Sequence, residues 1–202
     1  MTKKQEPGRA TLRPDTVVRC ALDLLDEQGL AAVSTRAVAD RLGVRMNTVL
    51  WHVKSKTGLL ELMADAIAGQ ISLDDLPEDG VARARALIGR YREALGGHRD
   101  GAALTAGTYA AQPHTLRFAD RLVQALLDGE MSERAAVWTT WGLVYFTLGL
   151  VQEEQGRSAA RAGQLAAAIA VGDYPALQRV AVQLGTEDFD ERFAHGVDLL
   201  LV

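Results

Sequence analysis

The 202-residue sequence contains a single cysteine, Cys20, so no internal disulfide can form. A lone cysteine inside an apolar helical pattern is a packing residue, and it fits a reducing compartment. Aromatic residues make up only 5% of the chain. No stretch alternates apolar and polar residues with period two, which excludes a sheet protein. No apolar run approaches the roughly 18 residues that a membrane span needs. The first residues, MTKKQEPGRATLRP, lack the apolar core of a signal peptide, so a soluble, cytoplasmic chain is expected. Catalytic signatures are missing as well. There is no Gly-x-Ser-x-Gly, Cys-x-x-Cys, Walker loop or His-Glu-x-x-His. The four histidines (52, 98, 114 and 195) show no metal-ligand spacing, so neither metal nor cofactor is expected. His98-Arg99-Asp100 matches part of a kinase catalytic loop, but the downstream Asn, the Gly-rich loop and the strand-borne Lys are absent. An enzyme is therefore not expected.

What is present is helix. Ala, Leu and Arg are abundant, and most of the five prolines punctuate helices. Pro14 and Asp15 open a first helix that Gly29 ends, with Val18, Ala21, Leu22 and Leu25 as its stripe. Ser34 caps a second helix ending at Leu42 and Gly43, a third runs from about 46 to 53, and Ser55 or Thr57 caps a fourth. Longer helices follow over about 80–96, from His114 toward Gly129, over 132–155 and from Glu187 to the end. The stretch between the last two is Ala- and Gly-rich and weakly specified. Charge is unevenly placed. Residues 1–60 hold ten Lys/Arg against six Asp/Glu, a balance of +4, and the remainder carries −8. A basic small part on an acidic large part suggests that only the first meets a polyanion.

The stretch TRAVADRLGVRMNTVLWHVKSK, residues 35–56, fits a helix-turn-helix. That motif needs two short helices, a small residue at their crossing and a tight turn. Ala39 and Gly43 meet these demands, and Val38, Leu42, Val44 and Val49 supply the inward positions. Arg36, Arg45, Met46, Asn47, Thr48, Leu50 and His52 are left pointing outward. In such a motif the start of the second helix reaches base edges. Arg suits guanine, Asn suits adenine and the Thr methyl suits thymine. Lys54 and Lys56, with the free N–H groups opening the fourth helix, suit phosphates.

Residues 11–70 resemble the DNA-binding domain of the TetR family of repressors. The carriers are STRAVADRLGV and TVLWHVKSKTGLLELMAD, and HRDGAALTAGT, YFTLGLVQEEQ and FAHGVDLLL extend the likeness to the tetracycline-repressor class. The resemblance implies an all-α fold in three parts: a flexible tail at 1–12, a three-helix helix-turn-helix DNA-binding domain at 13–60, and a larger effector-binding and dimerisation domain at 61–202. It implies that Thr35, Arg36, Arg45, Met46, Asn47 and Thr48 face bases or phosphates. It places Leu50, Trp51, His52 and Lys56 at the backbone or groove walls. Arg45, Met46, Asn47 and Leu50 depart from the tetracycline repressor, so a different operator is expected.

The resemblance also implies a small-molecule pocket in the larger domain. The place of a magnesium-binding histidine is taken by Thr105, and drug-binding positions fall at Ser72 and near Leu87. Glu153 keeps an acidic place but alone cannot hold a cation. A largely apolar effector with a few polar anchors is expected instead of tetracycline–magnesium. Candidate lining residues are Tyr91, Leu104, Thr105, Thr108, Tyr109, His114, Phe118, Trp138, Trp141 and Tyr145. The helix at 132–155 and the last helix are expected to form a four-helix dimer seam. The whole reads as a homodimeric, ligand-responsive repressor on a near-palindromic double-stranded operator. The alternative is a helical small-molecule-binding protein whose hairpin is only structural.

Overall fold

The computed structural model describes residues 12–108, 111–156, 159–185 and 188–202, with backbone alone at 159–162. The tail expected at 1–12 lies outside the described residues except for Leu12, and so does Tyr109. The described residues form helices joined by turns and no strand, as an all-α fold requires.

The first helix, α1, spans Pro14–Gln28. Proline suits its opening turn because the ring presets φ and the missing N–H would be unpaired there anyway. Gly29 ends it at φ 82, a left-handed backbone that glycine alone adopts without strain. A single 3-10 turn over Leu30–Ala32 leads to α2, Thr35–Leu42, and then to α3, Met46–Val53. Val17, Ala21, Leu25, Val38, Val49 and Val53 are buried between these helices. Full burial of such a side chain contributes roughly 1.5–3 kcal/mol, so a small three-helix unit can hold together on these contacts.

The fourth helix, α4, spans Lys56–Ala68, with Ser55 as its cap: the Ser55 hydroxyl accepts from the Gly58 N–H at 2.9 Å. It runs through residue 60 and contacts both parts of the chain. It packs on α1, and also on α6 (Gly101–Ala106) and α7 (Pro113–Asp128). The six-residue α6 was not foreseen, being too short to show a helical period. Around it α5 (Gly80–Gly96) and α8 (Glu133–Gln155) complete a bundle. Its core is Leu87, Ile88, Leu95, Leu104, Leu122, Leu126 and Leu143.

The weakly specified stretch folds as α9 (Ala159–Val171), α10 (Pro175–Arg179) and α11 (Ala181–Leu184). The Gln178 amide ties α10 back to α9 by donating to the carbonyls of Ile169 and Gly172. The last helix, α12, spans Phe189–Leu200 and packs on α8. Gly196 makes this possible, because the Phe146 ring lies where a Cβ would stand. Arg92 of α5 braces the joint. It donates to Glu154 of α8 and Asp190 of α12, and its guanidinium lies 5.0 Å from the Phe193 ring.

Candidate nucleic-acid interface and effector domain

The turn between α2 and α3 is set by Gly43 at φ 64, ψ 31. Its N–H donates to the Asp40 carbonyl at 3.2 Å, and the Val44 N–H donates to that of Ala39 at 3.0 Å. This pair of bonds satisfies the carbonyls that a helix end leaves open. Ser34 accepts from the Ala37 N–H at 3.0 Å and caps α2 at its start. Ala39 is buried at the crossing, so the two helices approach closely.

The outer surface of this unit is polar and basic. Arg36, Arg45, Met46, Asn47 and Thr48 are exposed, and Thr35 and Leu50 are half-buried. Trp51 is 71% exposed. Its ring meets His52 edge-on at 4.8 Å, and Lys54 closes over it, 5.6 Å from the centroid, while donating to the Trp51 carbonyl at 2.8 Å. Lys54 has φ 66, an uncommon backbone for a side-chain-bearing residue, and it ends α3 sharply. His52 is half-buried, and its Nδ1 has no partner among the described residues. Lys56 is exposed on the first turn of α4. No ion pair involves Arg36, Arg45, Lys54 or Lys56 among the described residues. Arg41, by contrast, is held by Glu27 of α1 at 2.5 and 2.6 Å, and this bond draws the Glu27 carboxyl below its usual range.

The His98-Arg99-Asp100 turn, discounted as a catalytic motif, grips the end of α1. His98 Nδ1 lies 3.0 Å from Asp26, and its Nε2 lies 2.8 Å from the Gln70 amide after α4. The Arg99 N–H donates to Asp26 and its guanidinium to the Glu27 carbonyl. Asp100 accepts from the Leu30 N–H at 2.8 Å. Gly29 admits this turn, since a Cβ there would sit 2.9 Å from the Asp100 carboxylate.

In the larger part the expected lining residues divide. Tyr91 and Phe118 stack at 5.0 Å, with Leu104 buried in the same core. Burial pushes the Tyr91 hydroxyl well above its ordinary pKa. Thr105 and Thr108 are half-buried, and their hydroxyls donate to the Gly101 and Thr105 carbonyls. His114 is exposed, its ring against Gly69. Trp138, Trp141 and Tyr145 do not join the Tyr91–Phe118 group. They lie about half a turn round α8 from buried Leu143 and Leu150, because each residue advances the helix by roughly 100°. Trp141 and Tyr145 stack on each other at 5.4 Å on that outward face. Glu153 meets Arg192 at 3.3 Å. A polar surface cavity of about 340 Å³ opens between Ser72, Asp74, Arg90 and Glu93, and Arg90 shapes it by donating to the carbonyls of residues 72, 74 and 75.

A capped α2, a left-handed glycine turn and an α3 with a bare polar start define a helix-turn-helix DNA-binding protein carrying a helical regulatory domain. Residues 17–63 match the family model of bacterial regulatory proteins, tetR family, and residues 75–202 match that of the tetracyclin repressor-like C-terminal domain. The chain belongs to the tetR family, and it is a ligand-responsive, DNA-binding transcriptional repressor. It is 37% identical to the class A tetracycline repressor from transposon 1721 of Escherichia coli over 147 residues, 71% of this chain and 68% of that one. It is 32% identical to the class D repressor of the same organism, covering 95% of this chain and 88% of the relative. Among solved structures, a possible TetR family transcriptional regulator from Streptomyces coelicolor A3(2) superposes with a TM-score of 0.83 at 33% identity, over 94% of this chain and 97% of that one.

Sequence reasoning missed the residues that join the two parts: Asp26, Gln70 and Arg99, together with Asp65 and Thr115. The only local signal was the His-Arg-Asp triplet. Among the described residues no helix is long and apolar enough to cross a membrane.

Proposed function

We propose that the protein acts in the cytoplasm as a homodimer in which each α3 reads one half-site of a near-palindromic operator. The exposed run Arg45–Thr48 at the start of α3 carries this reading, because it offers base-directed side chains at the open start of a helix that the Gly43 turn sets against α2. Thr35 and Arg36 flank it on α2. Leu50, Trp51 and His52 face the groove wall, and Lys54 and Lys56 hold phosphates. The exposed face of α8, with Val137, Trp138, Trp141 and Tyr145, would pair with its copy beside α12. An apolar stripe of that size on a monomer is a natural partner surface.

The effector is a largely apolar molecule with few polar anchors, lodged near Tyr91, Leu104 and Phe118. Thr105 supports this reading. It stands where the tetracycline-repressor pattern places a magnesium-binding histidine, and its hydroxyl is already bonded to a backbone carbonyl. The effector acts by favouring a dimer whose recognition helices no longer match successive major grooves. The test is selection of duplexes from a randomised pool by the purified protein at low salt, followed by footprinting. Enrichment of a site with two-fold symmetry is the expected result. If no duplex is enriched, the hairpin is structural and the protein is a small-molecule binder.

A further inference from the structure

Asp65 is the one buried charged side chain among the described residues, with 6% of its surface exposed. It sits on α4, the helix that joins the reading head to the effector domain. One of its carboxylate oxygens accepts both the Thr115 N–H, at 2.8 Å, and the Thr115 hydroxyl, at 3.0 Å. Thr115 belongs to the first turn of α7, whose next turn carries Phe118, stacked on Tyr91. One turn further along α4, Gly69 lies against the His114 ring. A buried carboxylate is costly unless it is hydrogen-bonded, so this bond has a single favourable geometry.

We infer that Asp65 is a positioning residue: it locks α4 to the first turn of α7 and so fixes the angle at which the reading head is presented to DNA. The inference rests on the operator-binding reading above and names the joint through which the effector core holds α3. A shift of α7 around the Tyr91–Phe118 stack has to move α4 or break this bond. Either event changes the spacing of the two recognition helices. The clasp at residues 98–100 holds α1, so α6 is bracketed by two polar joints, one to α1 and one to α4.

The experiment uses the full chain and the duplex that the wild type enriches from a randomised pool. Loss of a hydrogen-bonded buried charge releases the joint, so Asp65→Ala should lower affinity for that duplex by about ten- to a hundredfold while helical content stays unchanged. Asp65→Asn keeps an accepting oxygen and should recover most of the loss. Adding Thr115→Val to Asp65→Ala should cost nothing more. Binding by Asp65→Ala within twofold of the wild type overturns the inference. Should Asp65→Ala not fold, Thr115→Val alone decides, with a loss of a few fold expected and unchanged affinity overturning it. Hydrogen exchange reads the joint without DNA. In Asp65→Ala, or in Thr115→Val if that variant is needed, exchange should quicken throughout α1–α3, and quickening confined to residues near 65 and 115 overturns the proposal. If the wild type enriches no duplex, the operator reading fails on its own, and exchange still decides the joint.

Discussion

Replacing Lys56 by alanine tests whether the α3–α4 junction works as a phosphate clamp. Lys56 is exposed on the first turn of α4, and no ion pair competes for it among the described residues. Arg36, Lys54 and Lys56 are the cations best placed for the backbone, and a dimer presents each of them twice. Six phosphate contacts give a slope of about −5.4 in log affinity against log salt, since each contact contributes about −0.9. Raising salt from about 50 mM to about 200 mM should then weaken binding on the order of a thousandfold. Lys56→Ala removes two contacts, leaving a slope of about −3.6 and a loss of roughly 150-fold over the same range. Fluorescence anisotropy with a labelled duplex across a salt series gives both slopes. The loss should be equal for matched and mismatched duplexes, because phosphates carry no sequence information. A slope unchanged from the wild type, or a loss confined to the matched site, refutes the assignment.

Trp141→Glu should split the dimer, because it sets two charges against each other on an apolar seam. Sedimentation should report a monomer, and operator affinity should fall about a hundredfold or more as the second half-site contact is lost. Tyr91→Phe tests the buried hydroxyl. The folded pKa of Tyr91 lies above its ordinary value because burial penalises the anion. Its contribution is therefore intact below about pH 10, where an unfolded tyrosine ionises, and is lost as pH rises beyond that. Urea titrations at rising pH should show a shallower alkaline decline in the phenylalanine variant than in the wild type. Gly80→Ala places a Cβ against backbone atoms of Ala125, Asp128 and Gly129, with the Ala125 oxygen at 2.6 Å. Backbone cannot swing aside, so a loss of about 1–3 kcal/mol is expected from overpacking, read by urea unfolding.

The helix-turn-helix was legible because its signals are local. Pro14, Ser34, Gly43 and Ser55 act within a few residues of themselves, and each stands where the sequence placed it. The α8 stripe was legible as apolar, but its direction was not. A pocket wall and an outward seam look alike along a sequence, and Trp138, Trp141 and Tyr145, expected to line the pocket, lie exposed on the outward face of this chain. Nothing along the sequence marks Arg41 or Asp65. Their partners, Glu27 and Thr115, lie 14 and 50 residues away, and no periodicity reports such pairings. The same holds for His98 and Asp26, separated by 72 residues.

The clasp on α1 bears on how such proteins diversify. Two of its bonds address backbone groups, the Leu30 N–H and the Glu27 carbonyl, and the remainder need only the Asp26 carboxylate beside a glycine at 29. A foreign reading head that kept an acid and a glycine at these two positions would still dock. The operator code can therefore be exchanged as a module while the sensor stays in place, and the end of α1 is the docking point that a chimeric repressor joining this sensor to another reading head must keep.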